Sequence, residues 1–187
     1  MKILAEIYSR DKATYYNFQT NVQKSLVKKN TGIFVAALMI SAVSGRFSND
    51  VLGPLISLFS ILIGFGFTAQ FFLVDKRFEI SKRDGVIEDK QLEDKLNTLS
   101  KELFSNIQYY NVVLTSTVII IVINLLTYDP KIFDLIFSDK ILMEKYDLVA
   151  GYLGAFFIAL LGIEAISSFF RIVFRTEYLF RKLQEKK

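Results

Sequence analysis

VLGPLISLFSILIGFGFTAQFFLV, residues 51–74, is an uninterrupted apolar stretch that sets the class of this 187-residue chain. A bilayer core about 30 Å thick is crossed by about 20 apolar residues in a helix, and this stretch reaches that length without a charge. Apolar stretches also occupy residues 31–48, 109–128 and 148–170, and 52% of the chain is hydrophobic. Because the apolar residues are blocked rather than dispersed, the sequence predicts an all-α membrane protein with four transmembrane helices.

The distribution of lysine and arginine predicts the side of the membrane that each segment occupies. Residues 1–30, 75–108 and 171–187 contain six, seven and six of them, whereas the two other loops contain one and three. Cytoplasmic loops carry the excess of basic residues. We therefore expect both termini and the central segment to form cytoplasmic helical extensions. A composition rich in Ile, Phe, Lys and Asn favours a prokaryotic source, and so a multi-pass protein of the bacterial inner membrane.

The first span, residues 31–48, is the shortest, since only 16 residues separate Lys29 from Arg46. Lysine and arginine can extend their charged groups to the interface, so a helix of this length can still cross a thinned bilayer. The alternative is a re-entrant hairpin that the first span forms with the second.

The composition excludes several kinds of chemistry. The chain has no cysteine and no histidine, which removes disulfides, thiolate nucleophiles, imidazole bases and the usual zinc or haem ligands. We expect a protein that is not an enzyme and that uses no cofactor or metal. The central segment 75–108 carries seven basic and eight acidic residues, so we expect no direct binding of nucleic acid.

Residues 1–30 are predicted to form one amphipathic cytoplasmic helix. The prediction rests on apolar residues at helical spacing, namely Tyr15, Phe18, Val22 and Leu26. Such a helix can lie in the headgroup layer or pack on the bundle. The outer loop, residues 129–147, mixes apolar clusters with charges, which predicts a short interfacial helix.

The central segment is a candidate surface for a partner protein. Its leucines repeat at spacings of 4, 3 and 4, which is a short heptad pattern, and they are Leu92, Leu96, Leu99 and Leu103. A turn is predicted before them at residues 83–85. Two interpretations stay open, a coiled-coil contact with a partner and packing within one protomer. The basic tail, residues 171–187, adds further candidate docking residues, namely Arg175, Arg181 and Lys182.

Small residues recur at helical spacing in two spans, where they allow helix backbones to approach closely in lipid. In the second span these residues are Ser57, Ser60, Gly64 and Thr68. In the fourth span they are Gly151, Ala155 and Ala159. Both stripes predict tight helix packing, and together they favour a homo-oligomer, for which a tetramer is one arrangement.

An intramembrane polar layer is predicted around the acidic residue of the fourth span. With the topology above, polar residues of three spans fall at one depth, namely Glu164, Gln70, Asn111, Thr115 and Ser167. An ionisable group at such a depth marks a function or a specific partner. Glu164 either lines a water-filled axis of an oligomer as part of a cation-selective ring, or fixes helix packing through hydrogen bonds to Gln70, Asn111 or Ser167.

The layout of four spans with cytoplasmic termini resembles small membrane proteins of bacterial antiphage defence, in particular the membrane subunit of the Kiwa system. The resemblance covers the whole chain as a layout and is carried by no sequence motif. It implies an oligomeric inner-membrane protein that detects envelope disturbance during phage infection and acts with a cytosolic, DNA-binding partner. We therefore expect a non-enzymatic sensor and scaffold that docks a cytosolic effector. The alternatives are a membrane-permeabilising ion channel and, third, a small transporter.

Overall fold

The computed structural model describes residues 2–17, 22–82, 90–127 and 140–184, and these residues are almost entirely helical. Within these described ranges, five helices follow one another. They are α1 (Lys2–Ala13), α2 (Leu26–Ser44), α3 (Asn49–Lys82), α4 (Lys90–Thr127) and α5 (Lys140–Gln184). A short antiparallel pairing of β1 (Tyr16–Asn17) with β2 (Val22–Gln23) lies between the first two helices.

Four of these helices are long and apolar enough to cross a membrane, which confirms the predicted fold class. The candidate spans are Leu26–Ser44, Asn49–Asp75, Asn97–Leu126 and Leu148–Tyr178. The span in α2 has 19 residues, so even the shortest candidate span exceeds the minimum of about 17 residues for crossing a bilayer. The chain is therefore a multi-pass membrane protein by the length and composition of its helices.

The N-terminal segment differs from the single amphipathic helix predicted for residues 1–30. Helix α1 ends at Ala13, where the Thr14 hydroxyl donates to the Asp11 carbonyl at 2.7 Å and the Thr14 amide donates to it at 3.0 Å. Side chains of this type compete with the helical hydrogen-bond pattern and favour turns. The sequence then folds back into the β1–β2 pairing, so Tyr15 and Val22 do not share a helix face. Phe18 lies outside the described residues.

Two other segment boundaries also differ from those predicted from the sequence. Helix α2 begins at Leu26, five residues before the predicted start of the first span. Residues 140–147, assigned from the sequence to the outer loop, form the first turns of α5. Helix α4 runs from Lys90 into the third span without interruption. The turn predicted at residues 83–85 and the loop residues 128–139 lie outside the described part of the chain.

The connection between α2 and α3 is a tight turn. Gly45 has a φ of 60°, a left-handed conformation that glycine adopts without steric penalty and that commonly follows a helix C-terminus. Its amide donates to the Ser41 carbonyl at 2.8 Å. Helix α3 begins at Asn49, and the amides of Val51 and Leu52 in its first turn donate to the Ser48 carbonyl at 2.9 and 3.0 Å. A left-handed glycine thus ends one span and leads directly into the next.

The chain divides into two compact units, and each long helix from α3 to α5 contributes to both. The first unit comprises Met1–Leu26, Gly64–Val112 and Ile166–Lys187. Its interior is built on one face of α4, whose buried residues repeat every three or four positions. These residues are Leu99, Leu103, Ile107 and Tyr110.

The second unit comprises Val27–Ile63 and Val113–Ala165. Its α5 segment presents small buried residues, including the predicted Gly151, Ala155 and Ala159. Phe34 of α2 packs edge-on against Phe156 of α5, with ring centroids 5.4 Å apart. Lipid tails are as apolar as these side chains, so close van der Waals packing, rather than exclusion of water, holds such helices together.

Candidate functional site

The first unit contains a cluster of charged and polar side chains that the helices bury together. Its members come from the end of α1 and the adjacent strand, from α4 and from α5. We call this the buried charge cluster, and it consists of Asp11, Thr14, Tyr16, Glu102, Asn106, Arg171 and Arg175. Spacing of four residues places Glu102 and Asn106 on one face of α4, and the same spacing places Arg171 and Arg175 on one face of α5.

Arg175 is the most buried charge of the cluster, with 1% of its surface exposed. Its Nη1 lies 3.3 Å from Oε2 of Glu102, and its Nη2 donates to the backbone carbonyl of Thr14. The guanidinium also lies 5.3 Å from the centroid of the Tyr16 ring, a distance suited to a cation–π contact. One side chain of α5 therefore binds both α4 and the N-terminal segment.

A second ion pair joins the same elements. Arg171 Nη2 donates to the carboxylate of Asp11, and both side chains are largely buried. The Arg171 guanidinium lies 5.9 Å from the centroid of the Tyr15 ring. With two arginines and two carboxylates, the cluster is balanced in charge. Such pairing is what allows ionised side chains to leave water.

The amide of Asn106 connects the two ion pairs. With its oxygen towards Arg175 Nη1 at 2.9 Å, its nitrogen donates to Thr14 Oγ1 at 2.6 Å and to Asp11 Oδ1 at 3.0 Å. The opposite orientation would place the amide oxygen against these two oxygens. The single Thr14 hydroxyl proton already serves the Asp11 carbonyl, so we assign the amide in the first orientation.

The Tyr16 hydroxyl closes the cluster by donating to Glu102, with its oxygen 2.7 and 2.9 Å from the two carboxylate oxygens. Burial raises the pKa of Tyr16 to about 12, and the hydrogen bond to Glu102 and the charge of Glu102 add to that shift. Tyr16 therefore stays protonated at neutral pH and acts as a donor.

The acidic residue of the fourth span lies in the second unit and has a partner that the sequence did not predict. Glu164 Oε1 accepts a hydrogen bond from Lys29 Nζ at 2.6 Å, and the two side chains are 16% and 10% exposed. Lys29 lies in the first turn of α2, because that helix begins earlier than predicted. The ion pair therefore joins the first and fourth spans within one protomer.

The other residues of the predicted polar layer are only partly brought together. Asn111 donates to Gln70 at 3.3 Å, which joins α4 to α3 in the first unit. The Asn111 side chain also lies against Gly66, where a larger residue would not fit. Thr115 is exposed, and Ser167 is half-buried. The pair of Gln70 and Asn111 thus acts in helix packing.

Several predicted docking residues lie in the interior instead. Leu99 and Leu103 are buried within the first unit, so the heptad face of α4 packs inside the protomer. Arg175 is buried in the charge cluster and is not available to a partner. Arg181 is exposed and pairs with Glu177 at 2.7 Å. The side chains of Leu92, Leu96 and Lys182 lie outside the described part of the structure.

The two predicted small-residue stripes have opposite surroundings. The stripe on α5 is buried, and Gly154 beside it contacts the side chain of Asn124. The stripe on α3 is exposed throughout, and its members are Ser57, Ser60, Gly64 and Thr68. The hydroxyls of Ser57 and Thr68 donate to carbonyls four residues earlier in the same helix, at 3.3 and 2.9 Å. The α5 stripe thus packs within the protomer, whereas the α3 stripe lies on the exposed surface of its helix.

The buried charge cluster was not predicted from the sequence, although two signals were present. Arg171 and Arg175 are spaced four residues apart at the end of a span, and Glu102 and Asn106 have the same spacing before another. Two basic residues on one helix face and an acid and an amide on another, at the same spacing, can form a network of ion pairs and hydrogen bonds. The partners from the N-terminal segment could not be inferred, because the local fold of residues 14–23 was not predicted.

No grouping of acidic, histidine or cysteine side chains suited to a metal ion occurs among the described residues. The sequence was compared with models of protein families and with curated proteins, and the structure with solved structures, and none of these comparisons found a match. What the molecule does must therefore be inferred from its own geometry.

Proposed function

We propose that this protein is a non-enzymatic sensor and scaffold in the inner membrane of a bacterium, acting as a homo-oligomer that docks a cytosolic protein. Both termini and the segment before the third span face the cytoplasm in this proposal, in agreement with their excess of lysine and arginine. The layout resemblance to the Kiwa membrane subunit is the ground for placing it in antiphage defence.

The buried charge cluster is the observation on which this proposal rests. It ties the N-terminal segment to α4 and α5 through two ion pairs and a bridging amide. The cytoplasmic segments of the proposed topology thus form a folded unit with its own polar interior, rather than flexible extensions. A folded unit attached to membrane helices offers a defined surface for a protein partner.

The Lys29–Glu164 ion pair favours a scaffold over the channel alternative. A ring of glutamates selects cations through negative charge exposed to an aqueous axis. Here the carboxylate of Glu164 is already matched by an ammonium group 2.6 Å away, and both side chains are largely buried within the protomer. The pair therefore serves to hold α2 on α5 in a medium where an isolated charge is costly.

The exposed α3 stripe favours assembly of several copies. Four small or hydroxylated side chains face outward on one helix, where a second helix backbone can approach closely. The α5 stripe, in contrast, is already used within the protomer.

Reconstitution into liposomes tests the scaffold against the channel. We expect the purified protein to elute as an oligomer and to give no ion flux above that of protein-free vesicles. Flux carried by the protein alone would overturn the scaffold assignment and support the channel alternative.

Partner docking is tested by co-purification with the products of neighbouring genes, in which Arg175→Met is compared with Arg46→Met. Arg46 is exposed and faces the opposite side of the membrane in the proposed topology. We expect a stoichiometric complex that Arg175→Met weakens and Arg46→Met leaves intact. The defence role is tested by phage plating on cells that carry or lack the gene together with its neighbours. Equal plating on both would refute that role.

A further inference from the structure

One face of α1 is covered by protein at its C-terminal end and bare at its N-terminal end. Ile7, Asp11 and Thr14 follow one another at spacings of four and three, and Asp11 and Thr14 are buried. Ile3 lies four residues before Ile7 and Leu4 lies seven before Asp11, which places both on the same face. Yet Ile3 is 73% exposed and Leu4 is 56% exposed.

The contacts of the N-terminal segment with α4 show where the bare end points. The Tyr16 hydroxyl contacts Glu102, and Thr14 contacts Asn106. Further back in the chain, the Tyr8 ring lies 6.1 Å from the ring of Tyr109. The N-terminal segment therefore runs antiparallel to α4.

The N-terminal end of α1 is thus directed toward the apolar part of α4. Polar and charged residues are frequent in α4 before Tyr109, whereas Val112 onward is predominantly apolar. Leu4 lies about one helical turn beyond Tyr8 in this direction. Ile3 and Leu4 therefore lie beside the start of the continuous apolar stretch of α4.

The side chains around this bare end suit a lipid interface. Tyr8 is 48% exposed, and tyrosine is enriched where membrane meets water because its ring is apolar and its hydroxyl is polar. Lys2 and Lys12 are exposed on the same helix and can contact anionic headgroups. A short helix with apolar residues on one side and lysines on another is typical of segments that lie in the membrane plane.

We propose that the N-terminal end of α1 is a lipid-binding anchor, in which Ile3 and Leu4 insert into the interfacial layer of an anionic bilayer. The apolar side chains enter the lipid, and the lysines contact phospholipid headgroups. The buried charge cluster fixes the other end of the helix. This inference depends only on the membrane-spanning class of the chain and stands apart from the proposed sensor and scaffold role.

The absence of tryptophan from the sequence allows a direct test with a single reporter. Leu4→Trp places the reporter on the proposed lipid-facing side. Ser9→Trp is the matched control, because Ser9 is exposed and lies two residues before Asp11, on the opposite side of α1. Both sites are exposed, so both variants should melt at the wild-type temperature in detergent, which checks that the fold is retained.

Each variant is reconstituted into phosphatidylglycerol-containing vesicles that carry brominated lipid, and is then titrated with aqueous iodide. We expect Leu4→Trp to show blue-shifted emission, strong loss of intensity from brominated lipid and weak quenching by iodide. Ser9→Trp should show the reverse. Equal iodide quenching of both variants would overturn the proposal, since residue 4 would then lie in water.

Protection of Leu4→Trp from both quenchers would also overturn the proposal, because residue 4 would then contact protein, such as a second copy of the chain. A second measurement needs no substitution on α1. Amide hydrogen exchange of residues 3–8 in the wild-type protein should be slower in phosphatidylglycerol vesicles than in phosphatidylcholine vesicles. Equal exchange rates in the two would refute the part played by the lysines.

Discussion

Replacement of Arg175 by methionine should release the N-terminal segment from the rest of the first unit. Methionine is close to arginine in helix propensity, so the change removes the charge while α5 stays helical. In the wild-type protein Arg175 is 1% exposed, lies 3.3 Å from Glu102 and donates to the Thr14 carbonyl. All three elements of the buried charge cluster lose a contact at once.

The expected loss of stability depends on the Glu102 carboxylate, which stays partly buried after its arginine partner is removed. Removal of one partner of a buried ion pair costs about 3–5 kcal/mol, because the other charge stays buried without compensation. Glu102 keeps the Tyr16 hydroxyl, and its side chain is 19% exposed, so water can partly solvate it. We therefore expect the lower end, about 3 kcal/mol. At 1.4 kcal/mol per factor of ten, this raises the opening equilibrium by roughly 100-fold.

Hydrogen exchange measured by mass spectrometry on the protein in nanodiscs gives this quantity for each segment. We expect amides of residues 11–17 to exchange roughly 100-fold faster in Arg175→Met, while amides in the second unit keep their rates. Arg181→Met is the matched control, because the same substitution removes an exposed pair with Glu177, at 66% and 59% exposure. Such a pair is worth about 0.3–0.5 kcal/mol, so that variant should change exchange by roughly twofold.

Equal exchange in the two methionine variants would refute the reasoning, since the buried charge would then contribute no more than a surface charge. The double variant Arg175→Met with Glu102→Gln separates the causes. Glutamine can still accept the Tyr16 hydroxyl but carries no charge. If the loss arises from a stranded carboxylate, the double variant should recover most of the stability lost in Arg175→Met.

Two further predictions concern the protonation of Tyr16 and the packing around Gly154, for which Gly64 serves as the comparison. The pKa of Tyr16 is raised from 10.0 to about 12, so between these pH values the unfolded chain loses a proton that the folded chain keeps. Its stabilising contribution is therefore full below about pH 10 and is lost as the pH rises toward 12, and denaturant unfolding of Tyr16→Phe should show a shallower decline in this window than wild type. In the second unit, Gly154→Ala would place a methyl group on the Asn124 side chain, which should lower stability by about 1–3 kcal/mol in a thermal melt. Gly64→Ala, with nothing within 4 Å, should leave the protomer unchanged or slightly stabilised.

Each of these two predictions has an outcome that would contradict it. An identical pH profile for wild type and Tyr16→Phe between about pH 10 and 12 would show that burial and the Glu102 contact do not raise the pKa of Tyr16 in the folded protein. Equal melting temperatures for Gly154→Ala and Gly64→Ala would show that Asn124 can move aside freely. A change of oligomeric state in Gly64→Ala at unchanged protomer stability would place the exposed α3 stripe at the contact between copies.

The spans and much of the packing could be predicted from the sequence because they depend on local apolar periodicity. Leu99 and Leu103 were expected on one helix face by their heptad spacing, and both are buried. The small residues of the fourth span were expected to pack closely, and Ala155 and Ala159 are buried. Length, hydropathy and spacing are sufficient for these features, since no distant partner has to be identified.

The charged contacts could not be predicted because each depends on a partner far along the chain. Arg175 was predicted to be a docking residue, since a basic residue after a span ordinarily meets anionic lipid or an acidic partner. Its actual surroundings are formed partly by Thr14 and Tyr16, whose positions follow from the turn at the end of α1. A pattern of apolar residues at helical spacing could not reveal that turn, because the same residues also favour a strand.

The Lys29–Glu164 pair and the two ion pairs of the buried charge cluster share one property, which is that basic residues near the spans are paired inside the protomer. Lys29, Arg171 and Arg175 count toward the basic excess from which the topology was predicted, and in the folded protein each is matched by a carboxylate. A positive side chain that is matched within the protomer has little left to offer an anionic lipid surface. Attraction of the folded protein to lipid headgroups must therefore come from exposed basic side chains, such as those of α1. In the predicted topology, the basic residues that direct insertion would thus be the ones that stabilise the interior of the folded protein.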